Sequence, residues 1–166
     1  MKNFLKKNIL LCVTGGIAAY KSAELTRLFK KEGADVRIVM TESAKEFITP
    51  LTLQAVSGNQ IHDSLLDEKA EAAMGHIELA KWADIILIAP CTADSLSKIT
   101  HGRADDLMGA LILATKASIF IAPAMNMNMW LDPSTQDNYK TLLSRQINFI
   151  GPNAVSYTHL TLPTKA

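Results

Sequence analysis

The sequence has few of the features that mark extracellular, membrane or nucleic-acid-binding proteins. It contains only two cysteines, Cys12 and Cys91, and neither belongs to a CxxC pair. A disulfide framework or a zinc site is therefore not expected, and the free thiols suit a reducing cytoplasm. No uninterrupted apolar run approaches the roughly 18 residues that a membrane-spanning helix needs. The formal net charge is only +1, so there is no electrostatic reason to expect nucleic acid or an anionic membrane as a partner.

Several catalytic signatures are also missing. The sequence has no GxSxG nucleophile elbow and no HExxH metal motif, and its glycine turn matches neither GxGxxG nor a P-loop. The adjacent acids Asp105 and Asp106 would point in different directions on a helix. We interpret them as the negatively charged start of a helix rather than as metal ligands, and we expect no metal site.

The residues that are present form an alternating pattern of strands and helices. Nearly half of the 166 residues are hydrophobic, which is enough for the core of one domain. Apolar runs predict strands over 9–13, 36–40, 85–88 and 118–122, with a fifth candidate at 147–150, and Pro90 and Pro123 are expected to end the third and fourth strands. Helices are predicted over 17–31, 50–56, 107–115 and 134–145. This alternation predicts an α/β fold with a doubly wound parallel sheet.

Small and hydroxyl-bearing residues follow three of the predicted strands. Gly15 and Gly16 come after the first strand, where glycine permits close approach to a ligand and the next helix begins. On its own this turn is equally compatible with an empty strand–helix junction. Thr41 and Ser43 follow the second strand, and Thr92 and Ser95 follow the third; such hydroxyls cap helices more often than they bind phosphate. Because ligands bind beyond the carboxyl ends of parallel strands, three such ends together favour a phosphorylated ligand.

Two further residues are candidates for chemistry. His76 has an imidazole that can act as a general base near neutral pH, although a surface or capping histidine is the more common case. Asn126 lies in the segment PAMNMNMW, directly after the fourth strand. Its amide can donate to a carboxylate, and the surrounding Met and Trp side chains can wall a flat ring. The alternative interpretation of this segment is adaptable core packing.

Three segments together resemble one protein family. VTGGIAAYKSAEL, AAMGHIELAKWADIILIAPCTADSLSKITHGRADDL and IAPAMNMNMW are similar to the homo-oligomeric flavin-containing cysteine decarboxylases. The likeness is strongest to the phosphopantothenoylcysteine decarboxylase domain found in bifunctional coenzyme A biosynthesis flavoproteins, and it covers roughly residues 8–152. The resemblance implies a Rossmann-like flavoprotein fold, FMN as cofactor and a trimer or a dodecamer of trimers.

The resemblance also implies roles for individual residues. His76 is the implied catalytic base, and Asn126 is implied to hold the substrate carboxylate. The implied FMN-binding residues are Gly15, Gly16, Thr41, Ser43, Thr92, Ala93, Ser95, Ala124 and Met125. In the family, FMN oxidises the cysteine side chain of phosphopantothenoylcysteine, carbon dioxide leaves, and the returned electrons give 4′-phosphopantetheine.

The sequence departs from the family after Gly151-Pro152. Family members continue into a substrate-clamping loop with a Cys-Gly pair, whose cysteine donates the final proton, whereas this chain continues with Asn153-Ala154. We therefore expect residues 1–154 to be a flavin-binding decarboxylase domain that stops before the clamp, and 155–166 to be a tail not native to it. Decarboxylation without efficient completion of the reductive step is expected. A flavin prenyltransferase of the same fold and a non-catalytic flavin-binding module remain the alternatives.

Overall fold

The fold is built on one parallel sheet, seen in a computed structural model that describes residues 3–65 and 75–152. The strands are β1 Asn8–Val13, β2 Asp35–Met40, β3 Ile85–Cys91, β4 Ser118–Pro123 and β5 Asn148–Phe149. Their order across the sheet is β2-β1-β3-β4-β5, and every neighbouring pair is parallel. This arrangement confirms the predicted doubly wound α/β architecture. The connections leave β1 and β3 toward opposite sides, which places the ligand-binding crevice of such sheets at the carboxyl ends of these two strands.

Helices cover both faces of the sheet. They are α1 Lys21–Lys31, α2 Pro50–Ser57, α3 His76–Trp82, α4 Ala93–Thr100, α5 Leu107–Ala114, α6 Met127–Leu131 and α7 Pro133–Ser144. Two 3₁₀ turns, Ile17–Tyr20 and Ser43–Glu46, follow β1 and β2. The predicted helix over 17–31 is thus a short 3₁₀ turn followed by an α-helix. In the described part of the chain, no helix combines the length and apolar character needed to cross a membrane.

The strands are apolar throughout because both of their faces are buried. Along β1, Ile9 and Leu11 pack on one face with α1 and α2, whereas Leu10 and Cys12 pack on the other face with α3, α4 and α5. All four side chains are almost completely removed from solvent. Burying an Ile or Leu side chain contributes about 1.5–3 kcal/mol, so these continuous apolar runs are a principal source of stability.

The predicted effect of the two prolines on the strands was wrong. β3 continues through Pro90 to Cys91, and β4 includes Pro123. The pairing register between β3 and β4 shifts between Ile88 and Cys91, after which Cys91 pairs with Pro123. Pro90 has no N–H to donate to the sheet, so the irregularity accommodates it within the strand. The fifth strand is shorter than predicted, with two residues paired to β4.

Local capping explains where several helices begin. Thr49 accepts a hydrogen bond from the backbone N–H of Thr52 and precedes Pro50, the first residue of α2. Asp106 accepts one from Gly109 N at 2.8 Å at the start of α5, as its interpretation as a helix-start residue predicted. Gly58 ends α2 with φ of 74°, a left-handed conformation that favours glycine.

Candidate cofactor-binding site

A cleft of about 420 Å³ lies at the carboxyl edge of the sheet, around the ends of β1 and β3. The loops after β1, β2, β3 and β4 all contribute to it. Its lining residues are Gly15, Gly16, Ile17, Ser43, Thr92, Ala93, Asp94, Ala124, Met125, Asn126 and Met129. The four sequence segments predicted to gather at this edge therefore do form one site.

The two glycines of the first loop play different parts. A Cβ placed on Gly15 would lie 2.7 Å from the backbone carbonyl carbon of Ser43, whereas one on Gly16 would meet nothing closer than Thr92 Cγ2 at 3.5 Å. Gly15 is therefore required by the close approach of the β1 and β2 loops to each other. Gly16 leaves open space toward the cleft, with an extended backbone at φ −143° and ψ 166°.

Thr92 is the N-cap of α4 and organises the wall contributed by β3. Its Oγ1 accepts a hydrogen bond from Ser95 N and donates one to Ser95 Oγ, both at 3.1 Å. The backbone N–H groups of Ala93 and Asp94, in the first turn of α4, have no acceptor among residues 3–65 and 75–152. Free N–H groups at the positive end of an eight-residue helix form a site that favours an anion.

Two predicted cofactor-binding residues stand behind the lining rather than in it. Ser95 is only 5% exposed and contacts the cleft through its hydrogen bonds with Thr92. Thr41 Oγ1 lies 3.3 Å from Ser43 Oγ and accepts a hydrogen bond from Ala44 N. Both hydroxyls therefore support the residues that face the cleft.

Asn126 presents one half of its amide to the cleft. Its Oδ1 accepts a hydrogen bond from Met129 N at 2.8 Å, which caps α6. With the oxygen held in this way, the Nδ2 group has no partner in the described part of the chain and remains free as a donor. This arrangement suits recognition of a carboxylate.

The segment PAMNMNMW divides between the site and the core. Met125 and Met129 line the cleft, and Met129 is 45% exposed. Trp130 is only 6% exposed, packs against Tyr139 at 5.0 Å between ring centroids, and does not line the cleft. The expectation that the tryptophan walls a ligand ring was therefore wrong, because its large apolar surface is used in packing α6 against α7.

His76 is not among the residues that line this cleft. It is the first residue of α3, half-buried, on a helix that packs against α5. Among the described residues, Asn126 therefore lines this cleft and His76 does not. The residues immediately before Gly75, 66–74, lie outside the described ranges.

Three cleft residues were not singled out from the sequence. Ile17 directly follows the glycine pair, and Met129 lies one turn beyond Asn126, so their spacing was the available signal. Asp94 lies between two predicted site residues; its carboxylate forms an exposed ion pair with Lys98 at 3.5 Å. Asp94 can contribute its backbone N–H while its side chain points to this lysine.

The two cysteines are unsuited to chemistry at the cleft. Both are completely buried. Burial raises the pKa of Cys12 to about 12, with a smaller contribution from the negative charge of Asp106. Burial also raises the pKa of Cys91. Neither thiol forms a reactive thiolate at neutral pH, and the described residues contain no group of three side chains suited to hold a metal ion.

A larger cavity of about 500 Å³ lies elsewhere, near the amino ends of β3 and β4. Its charged residues are Lys81, Asp84 and Lys116, and it includes the C-terminal end of α5. We regard the smaller cleft as the functional site, because the carboxyl edge combines free N–H groups, hydroxyls and an amide donor at the topological switch point.

Comparison with known proteins agrees with this geometry. The chain is 57% identical over 148 residues to the coenzyme A biosynthesis bifunctional protein CoaBC of Haemophilus influenzae, covering 89% of this chain but 37% of that protein. The chain thus spans less than two fifths of the length of the curated relatives it matches. Among solved structures, it resembles the FMN-dependent cysteine decarboxylase SpaF with a TM-score of 0.85 and 29% identity, covering 93% of this chain and 90% of that one.

A second solved structure is closer in sequence. A PPC decarboxylase variant complexed with pantothenoylaminoethenethiol is 33% identical, with a TM-score of 0.76, and the match covers 91% of this chain and 87% of that one. The family described as Flavoprotein matches residues 2–161. Because this match includes almost the whole chain, together with the fold and the cleft at the switch point, the protein belongs to the flavoprotein family.

Proposed function

We propose that the cleft binds FMN and that this chain catalyses the decarboxylation of 4′-phosphopantothenoylcysteine toward 4′-phosphopantetheine, a step in cytoplasmic coenzyme A biosynthesis. The observation that carries the proposal is the cleft itself, with an anion-binding wall at the start of α4 and a free amide donor on Asn126. The similarity to CoaBC and to the PPC decarboxylase structure supports the same reaction.

The lining residues fit an FMN molecule chemically. The free N–H groups of Ala93 and Asp94 and the hydroxyl group of Ser43 are suited to a phosphate. On the apolar side, the Ile17, Met125 and Met129 side chains are suited to a flat ring system. Bound FMN would supply reversible two-electron oxidation of the substrate's cysteine moiety.

The protein's own residues bind the substrate and move its protons. We assign to the Asn126 Nδ2 group the recognition of the substrate carboxylate, since Oδ1 is already engaged in capping α6. His76 is assigned the role of base, accepting a proton from the substrate's cysteine moiety. Because His76 is not among the residues that line this cleft, we propose that a second copy of the chain presents it, in a homotrimer or a dodecamer of trimers.

The proton for the final reductive step does not come from either described cysteine. Cys12 and Cys91 are buried, and their raised pKa values make them poor acids at neutral pH.

The test is carbon dioxide release from phosphopantothenoylcysteine by the FMN-loaded protein. Loss of a general base typically lowers the rate by about 10²–10⁴-fold, so His76→Asn is expected to fall in this range while retaining flavin. The matched control is His101→Asn, which alters an exposed histidine at the end of α4 whose Nδ1 lies 2.7 Å from Ser97 O. Bound flavin without carbon dioxide release in the wild type would instead indicate a non-catalytic flavin-binding module.

A mixing experiment tests the shared site. Co-assembled His76→Asn and Asn126→Asp chains are expected to regain activity that neither variant has alone, because some sites receive both intact residues. Absence of any recovery in demonstrably mixed oligomers would contradict a site assembled from two copies.

A further inference from the structure

Thr14 is a completely buried polar residue between β1 and the glycine turn. Its Oγ1 donates a hydrogen bond to Pro90 O at 2.6 Å and accepts one from Thr92 N at 3.1 Å. Its backbone N–H also donates to Pro90 O, at 3.3 Å. One hydroxyl therefore connects the end of β1 to the end of β3, across the switch point of the sheet.

This connection lies where β3 is least regular. The register of β3 against β4 shifts between Ile88 and Cys91, so the backbone just before Thr92 is not held by an unbroken ladder. The Thr14 hydroxyl adds a restraint here, because it donates to Pro90 O and accepts from Thr92 N, on either side of Cys91.

Thr92 is in turn the residue that orients the first turn of α4. With its N–H occupied by Thr14, its side chain caps Ser95, and the N–H groups of Ala93 and Asp94 are left for a ligand. A hydroxyl has one proton to donate, and Thr14 uses both this donor and an acceptor lone pair. An apolar side chain of the same shape, such as that of valine, can form neither of these two hydrogen bonds.

We propose that Thr14 is a positioning residue for the phosphate of FMN, acting through Thr92 and without contacting the cofactor. This inference rests on the proposed function, since it takes the start of α4 as the phosphate site. A positioning role and a purely structural role of Thr14 predict different results. If Thr14 positions the phosphate site, loss of its hydroxyl should weaken binding of FMN more than binding of riboflavin, which lacks the phosphate.

The experiment compares Thr14→Val with Thr14→Ser, which keeps the hydroxyl. Thr26→Val is the matched control, because Thr26 is also completely buried and its hydroxyl donates to Ser22 O within α1 at 2.8 Å. Dissociation constants for FMN and riboflavin are measured by flavin fluorescence, below the melting temperature of every variant.

We expect Thr14→Val to lose about tenfold or more in FMN affinity, which corresponds to about 1.4 kcal/mol. Riboflavin affinity should change much less, Thr14→Ser should keep the wild-type preference for FMN, and Thr26→Val should change neither affinity. An equal loss for both flavins in Thr14→Val, or a lower melting temperature with both affinities unchanged, would overturn the positioning role. A wild-type chain that binds neither flavin would overturn the proposed function and this inference with it.

A measurement on the wild type keeps the inference testable if Thr14→Val does not fold. The Thr92 amide should exchange its hydrogen slowly without any flavin, since it is bonded to Thr14 Oγ1. The Ala93 and Asp94 amides should exchange rapidly without flavin, and slowly with FMN but not with riboflavin. Fast exchange at Thr92, or equal protection of Ala93 and Asp94 by both flavins, would contradict the positioning role of Thr14.

Discussion

Replacing Gly15 with alanine is expected to destabilise the protein, whereas the same replacement at the adjacent Gly16 is expected to leave it nearly unchanged. The added Cβ at Gly15 would lie 2.5 Å from Ser43 Cβ and 2.7 Å from the Ser43 carbonyl carbon. Carbon atoms in favourable contact are about 3.5–4.0 Å apart, so the β2 loop would have to move by roughly 1 Å. Because a backbone atom is involved, a change of side-chain rotamer cannot relieve the overlap.

The magnitude follows from two opposing effects. Overpacking of this kind costs typically about 1–3 kcal/mol. Replacing glycine by alanine also restricts the unfolded chain, which offsets about 0.4–1 kcal/mol where the backbone conformation suits alanine. We therefore expect Gly15→Ala to lower the free energy of unfolding by about 1–2 kcal/mol. For a chain of this length the melting temperature should fall by roughly 2–8 °C.

The assay is thermal unfolding of the flavin-free protein followed by circular dichroism, so the outcome does not depend on the proposed cofactor. Gly16→Ala is the matched control, because its Cβ would lie 3.5 Å from Thr92 Cγ2 and its extended backbone suits any residue. Its melting temperature should stay within about 2 °C of the wild type. Equal melting temperatures for the two variants, or a greater loss in Gly16→Ala, would refute the argument from loop contact.

Three further predictions concern the substrate, a helix cap and the thiols. Asn126→Asp should keep the α6 cap and bound flavin but lose about 10²-fold or more in decarboxylation, because a carboxylate repels the substrate's carboxylate; retained activity would contradict this role. Asp106→Ala should lower the free energy of unfolding in urea by about 1 kcal/mol through loss of the α5 cap, whereas Asp105→Ala should change it little. Folding raises the pKa of both thiols, that of Cys12 from 9.0 to about 12. The free energy of unfolding should therefore be unaffected by the thiols below about pH 9 and should fall as the pH rises above that value. The fall should reach at most about 1.4 kcal/mol per pH unit for each thiol. A variant with alanine at Cys12 and Cys91 should show a shallower fall in urea unfolding between about pH 9 and 11; an identical fall would contradict this assignment.

Part of the cleft could be predicted from residue patterns in the sequence. Gly15, Gly16, Ser43 and Thr92 were predicted to meet, because each follows a strand and the carboxyl ends of parallel strands share one edge. Sequence position did not distinguish lining residues from supporting ones, however. Ser95 stands behind the lining because its hydroxyl is turned toward Thr92, and only the orientation of the helix start decides this.

The continuous apolar runs determined a parallel α/β sheet, and the glycine and hydroxyl residues that follow them determined which segments gather at its carboxyl edge. Local sequence is sufficient to predict these features, because a strand that is buried on both faces needs a continuous apolar run and the residues that follow the run show where the strand ends. The tertiary structure alone decided the long-range contacts. The hydroxyl of Thr14 meets residues 76 to 78 positions away, Ser43 occupies the space beside Gly15, and Trp130 turns into the core rather than the cleft. Such contacts depend on which strands become neighbours, and strand order is set by the packing of the whole chain.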